Sequence, residues 1–243
     1  MIALPMQQAR VDLAAALRCA VRYGLHEGVC NHFSMMVPGD APRFLINPYG
    51  PHWSQMRASD LLLVDGEGRI LEGEGELEAS AFFIHSRIHL ASPRATCVLH
   101  THQPYATALT VVHDARLEPI SQNAVRFYDD CAYDDSFNGL VLESNEGDRL
   151  AAAIGDKRVM FLANHGVIVI GPTVAEAFDD LYYLERAAQL QVLALSTGKT
   201  LRTIGEEVAR TTFGNRTDKI HYAHVHFTAL KQLLDRAEPE YAD

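Results

Sequence analysis

Basic residues are scarce in this chain of 243: 21 Lys plus Arg stand against 31 Asp plus Glu, a formal net charge of −10. A nucleic-acid partner requires basic residues gathered on one face to displace counterions from phosphates, so none is expected. Tryptophan occurs once and cysteine four times, and Cys19, Cys30, Cys97 and Cys131 are widely spaced with no CxxC pair. They read as reduced thiols in a cytoplasmic protein, small core residues and not a metal or disulfide framework. No apolar run approaches the roughly 18 uncharged residues that a membrane span needs, so no membrane segment is expected. The opening MIALPMQQARVDLAAALRCAVRYG has no basic start and no clean apolar core, and no signal peptide is read there. Repeats, low-complexity tracts and Ser/Pro-rich linkers are absent as well. The expectation is one domain over 1–243 with a helical extension over about 200–243.

What is present is an ordinary globular composition, 48% hydrophobic and 21% charged, with an excess of histidine, 12 residues in all. The apolar spacing predicts an amphipathic helix over 5–23, broken at Gly24 and Gly28. Short strands follow at 33–37, 43–47, 61–65 and 69–71, separated by turn chemistry. A helix over 77–91 stops before Pro93, a buried strand spans Ala95 to Leu99, and a helix starts near Pro104. Strands at 139–142, 159–163 and 167–170 surround a helix at 146–154; a long helix runs from Thr173 to Ser196, and helices occupy 203–211 and 217–236. This mixture predicts helices on both faces of one sheet.

Chemistry concentrates in two places. In CVLHTHQPYATAL, His100 and His102 close an apolar strand two residues apart, so they point the same way and can share a metal ion. Spacing alone is weak evidence, since such pairs also arise by chance. In RVMFLANHGVIVIGP, two apolar runs meet at Asn164-His165-Gly166. Gly166 is expected to take the positive backbone angle of a sharp turn. His165 at that corner is either a ligand or a turn residue bonded to backbone.

Together with NHFSMMVPG, FLINPYGPHWSQMRASDLLLVD, IHLASP and SQNAVRFYDD, these segments resemble the class II aldolase and adducin family over roughly 7–196. The resemblance implies a three-layer α/β/α subunit with a central, mostly antiparallel sheet. It implies a divalent metal, typically zinc, on His100, His102 and His165, within a homotetramer whose sites lie at subunit interfaces. Three imidazoles also accept Mn, Co or Fe. The chain departs from the family's sugar-phosphate aldolases where their catalytic Glu stands four residues before the histidine matched by His85: here it is Ala81. Glu78, Glu76 or Glu74 reaches in only if the helix entry is shifted. The phosphate-binding positions differ too, reading Asn31-His32, Tyr49-Gly50 and Ala79-Ser80.

These differences point to a flat, unphosphorylated ligand, with His32, Tyr49, His52 and Trp53 available for stacking and hydrogen bonding, unless Tyr49 and Trp53 simply close a loop over the core. The expected site is therefore His32 and Tyr128 as catalytic groups, Asn31, Tyr49, Gly50, Ser80 and His85 as substrate-binding groups, and the three metal histidines. Tyr128 or Tyr133 is a candidate acid from a loop that approaches a neighbour's site. His85 faces the site while His89 packs beside it, and His221, His224 and His226 read as surface or interface residues. The favoured function is a metal-dependent carbon–carbon lyase on a hydroxy or keto carboxylic acid, a decarboxylase. The alternatives are an aldolase acting on a sugar or sugar phosphate, and a non-catalytic adducin-like interaction module.

Overall fold

Alternating apolar side chains give the central strands two different buried faces, and each face carries its own layer of helices. A computed structural model describes residues 6–37, 42–139, 143–214 and 218–243. Helix α1 (Met6–Arg22) leads into a meander of β1 (His32–Met36), β2 (Arg43–Ile46), β3 (Leu62–Asp65) and β4 (Ile70–Glu72). Helix α2 (Ala79–Ala91), β5 (Cys97–Thr101) and α3 (Pro104–Thr110) follow, then β6 (Cys131–Asp134), α4 (Ser144–Ile154), β7 (Val159–Leu162) and β8 (Gly166–Gly171). The chain ends with α5 (Val174–Leu195), α6 (Glu206–Gly214) and α7 (Lys219–Ala237). The strands form one eight-stranded sheet in the order β4-β3-β2-β1-β5-β8-β7-β6, antiparallel throughout except for the β6–β7 pair.

One face of the sheet presents Phe33, Met35, Leu99, Phe161, Val167 and Val169 to α1, α3, α5 and α7. The other presents Val98, Met160, Leu162, Ile168 and Ile170 to Ile84 and Ile88 of α2 and Leu150 and Ile154 of α4. The three-layer α/β/α arrangement is thus present, with helices on both faces as the sequence implied. Helices α2 and α4 touch so closely that a Cβ at Gly147 would lie 2.3 Å from the Phe83 carbonyl oxygen. The C-terminal segment joins the first core: Phe227, Leu230 and Leu234 of α7 are buried there with Tyr241. Arg18 of α1 ties that end down, donating to Glu238 and Glu240 at 3.1 and 2.7 Å.

Two expectations shift. Strand β5 begins and ends two residues later than the apolar run suggested, so that it includes His100. Strand β6 was not anticipated, because CAYD carries an acidic residue and follows two others; it is an edge strand whose Asp134 is held bidentately by Arg149 at 2.8 and 2.7 Å. The strand expected at 139–142 falls largely on residues 140–142, outside the described ones. No described helix is long and apolar enough to cross a membrane.

Candidate functional site

Strand alternation places His100 on the α2 face of β5, and His102 follows just past the strand end on the same side. Their Nε2 atoms stand 3.2 Å apart. His165 arrives from the corner between β7 and β8, and one nitrogen from each of the three rings lies within 4.8 Å of the others. The corner works differently from the expectation. The positive angle belongs to Asn164, at φ 56°. Gly166 is needed for room: a Cβ there would lie 2.5 Å from the Thr101 carbonyl oxygen and 2.8 Å from the His102 ring.

The outer nitrogens of the pair are committed. His100 Nδ1 lies 3.0 Å from the Val167 carbonyl oxygen, which can only accept, so Nδ1 carries the proton. His102 Nδ1 donates in the same way to the Glu27 carboxylate at 2.7 Å. In the neutral rings both Nε2 atoms are then bare, two lone pairs facing each other at hydrogen-bond distance. A cation between them relieves that repulsion, and a carbonyl or carboxylate behind each ligand is what metal-binding imidazoles use. Burial holds the His100 pKa well below its usual value and lowers that of His165 to about 4, helped in His165 by the neighbouring His102. The donor set therefore fits a divalent metal: neutral nitrogen ligands, a positioned outer shell and room beside them.

That room is a cavity of about 760 Å³. Its described wall includes His32, Tyr49, Ser80 and His85 of the expected substrate and catalytic groups, together with Glu76, Glu78, Phe137 and Cys30. His32 opens β1 directly beside His100 in the sheet register, is buried, and its Nε2 has no partner. Burial lowers its pKa to about 4 despite the opposing pull of Glu78. Glu78 caps α2, accepting from the Ala81 amide at 2.7 Å and the Ser80 hydroxyl at 2.5 Å. Burial pushes its carboxyl up, but these hydrogen bonds prevail and hold the pKa below the ordinary value, so Glu78 is ionised. Because α2 begins at Ala79 and not at Leu77, the carboxylate at the helix entry does reach the cavity.

Other expected residues stand elsewhere. Asn31 lies behind the trio, its Oδ1 accepting from the amides of Glu27 at 2.7 Å and His102 at 3.4 Å. Gly50 takes φ 105° over open space and is not in the described cavity wall. Trp53 is core, packed against Phe33 and stacked on His26, so the loop-closing reading is the correct one for it. His52 pairs with His26 and Ser54 away from the cavity. Tyr128 does not line the cavity of its own chain; it lies near the Arg210 guanidinium. Tyr133 is packed on Phe161 and its hydroxyl accepts from the Leu117 amide at 3.0 Å, so it is a structural residue within the chain. His226 is bonded to Asp179, while His221 and His224 are exposed. Among the described residues, the only cluster with metal-ligand geometry is the trio. Glu27 was not anticipated: an exposed glutamate in a glycine-flanked loop carries no periodicity, and only its place beside His102 reveals it.

The chain is similar to known proteins over most of its length. A family profile described as "Class II Aldolase and Adducin N-terminal domain" matches residues 11–192. A "Putative aldolase class 2 protein" of Caulobacter vibrioides is 34% identical, covering 97% of this chain and 92% of that protein. "Decarboxylase NovR" of Streptomyces niveus is 33% identical, covering 82% of this chain and 74% of that protein. A crystal structure of an aldolase II superfamily protein from Pseudomonas syringae superposes with a TM-score of 0.92 at 34% identity, covering 100% of this chain and 98% of that one.

Proposed function

The chain belongs to the class II aldolase and adducin family, and from that premise we propose that it is a divalent-metal-dependent carbon–carbon lyase, a decarboxylase of an unphosphorylated aromatic hydroxy or keto acid. The observation that carries this reading is the charge of the cavity. Its described wall contains no lysine or arginine and three glutamates, Glu27, Glu76 and Glu78. A phosphate dianion held away from the trio has no cation to pair with there, whereas a carboxylate needs only the metal. The exposed Phe137, whose ring centroid is 6.5 Å from that of His165, and the exposed Tyr49 offer apolar faces to an aromatic ring.

His100, His102 and His165 hold the metal, zinc in the first instance, with Mn, Co or Fe compatible with three imidazoles. When bound, the metal supplies Lewis-acid stabilisation of the negative charge that develops as carbon dioxide leaves. The chain's own residues do the rest. Tyr49, Ser80 and the hydrocarbon of Ile84 and Leu77 confine the substrate, and His32 places a buried imidazole in the wall. The proton for the carbon comes from His32 or from Tyr128 of a neighbouring subunit. The exposed apolar residues Val111, Val112, Leu190, Leu193, Val208 and Val225 support assembly, read as a homotetramer. The place of action is the cytoplasm.

A screen of hydroxybenzoate-type and keto acids for carbon dioxide, run beside phosphorylated ketoses for aldehyde, tests the reading. Carbon dioxide from an acid supports it; aldehyde from a sugar phosphate with no carbon dioxide overturns it. One observation favours the second reading, an aldolase: ionised Glu78 is available in the wall as a base where Ala81 offers none. Glu78→Gln separates the two, abolishing aldol cleavage and sparing decarboxylation.

A further inference from the structure

A second group of imidazoles lies on the same face of the sheet, between β1 and α2, and its hydrogen bonds run in one direction only. His89 Nδ1 is 2.5 Å from the Ala95 carbonyl oxygen, which accepts and cannot donate, so Nδ1 bears the hydrogen. His89 is buried and has no carboxylate partner among the described residues, and burial brings its pKa to about 4. The ring is neutral, and its Nε2 is an acceptor. Ser34 Oγ lies 2.7 Å from that Nε2 and 2.6 Å from His85 Nδ1. The single hydroxyl hydrogen goes to His89, leaving the oxygen to accept from His85. His85 therefore carries its hydrogen on Nδ1, and its Nε2 is bare. That Nε2 is fully buried from bulk water, has no partner among the described residues, and belongs to a ring in the cavity wall. One backbone carbonyl thus sets the tautomer of a ring three hydrogen bonds away.

We propose that His85 is a catalytic proton acceptor of this cavity, that Ser34 and His89 are the positioning residues that keep its Nε2 bare, and that the site consequently reads a hydroxyl on the substrate in preference to a keto group. The proposal rests on the lyase reading for its substrate but not for its tautomer. In the step, the substrate O–H bond breaks, its hydrogen forms a bond to His85 Nε2, and the oxygen keeps the electron pair. No atom is gained or lost. The step run backwards returns the proton to the oxygen and restores the ring. An acceptor fixed in this way penalises a ligand that presents only a keto oxygen, since two lone pairs would then oppose each other at a buried nitrogen.

The tautomer is read directly by solid-state NMR on the full-length protein labelled with ¹⁵N-histidine at neutral pH, with His85→Gln identifying the resonance. We expect the Nδ1–H form, a protonated Nδ1 and a bare Nε2. A protonated Nε2 or a doubly protonated ring overturns the proposal, whatever the enzyme does with any acid. Ser34→Ala removes the link and is expected to release the tautomer and to lower kcat on the acid found by the screen by about tenfold or more, with KM and metal content unchanged. Ser34→Thr, which keeps the hydroxyl, is expected to restore the Nδ1–H form and the turnover together. If Ser34→Ala changes the tautomer and leaves kcat intact, the positioning role is wrong. If no acid turns over while the Nδ1–H form is present, the lyase reading has failed and the fixed acceptor stands.

Discussion

His100-Thr101-His102 and His224-Val225-His226 share one spacing and opposite fates. On β5 and its end, residues two apart point to the same side, and the two Nε2 atoms close to 3.2 Å. On α7, residues two apart are turned by about 200° around the axis. His224 accordingly faces solvent while His226 bonds Asp179 at 2.8 Å. The outer partners differ as well. The strand pair has one acceptor behind each ring, Val167 O and Glu27, which leaves the inner nitrogens bare; His226 spends a nitrogen on an aspartate that Arg126 already pairs. A His-x-His motif thus brings two bare nitrogens together where the backbone has period two and each ring has an acceptor behind it.

The largest test of that contrast is ligand removal. His165→Ala or His102→Ala is expected to take bound zinc, measured by elemental analysis of dialysed protein, from about one ion per chain to none, whereas His224→Ala leaves it unchanged. Stoichiometric zinc in His165→Ala would break the comparison. Glu27→Ala leaves three ligands and removes the acceptor behind one; metal affinity is expected to fall about 10- to 100-fold by competition with a chelator. Asp179→Asn, which alters the acceptor behind His226, should not change it.

Acid acts on the buried imidazoles. His32 and His89 have pKa values lowered by burial from 6.5 to about 4, while the unfolded chain protonates near 6.5. Between those values the unfolded state binds more protons, so stability of the metal-free protein is expected to fall as pH drops through this window. The loss is on the order of a few kcal/mol, measured by urea unfolding. His89→Gln should flatten the slope. Gly166→Ala, which puts a Cβ against Thr101 and His102, is expected to cost about 1–3 kcal/mol and to weaken zinc binding as His165 shifts. The smallest effect belongs to the helical motif: His226→Ala is expected to cost ~1–2 kcal/mol in thermal or urea unfolding with metal binding intact.

Much of this molecule was legible in its residues. The continuous apolar runs before His100 and on both sides of the Asn164-His165-Gly166 corner identify buried strands, because a strand covered on both faces of the sheet needs no polar alternation. Helix ends at Pro93 and Pro104 follow from proline's own backbone geometry. Local chemistry of this kind acts over a few residues and is written in them. Strand β6 and the roles of Gly166, Trp53 and Glu78 were decided elsewhere. Arg149 makes an acidic strand tenable, the Thr101 carbonyl forbids a Cβ at 166, Phe33 and His26 bury Trp53, and a helix that starts two residues later than expected turns Glu78 into the cavity. The same holds for the two sets of imidazoles. Residue type and spacing nominated the histidines, but hydrogen-bond partners brought from 67 and 75 residues away, Val167 and Glu27, determine which nitrogen of His100 and of His102 is bare. A proton on a ring obeys its nearest acceptor, and only the folded chain decides which acceptor that is.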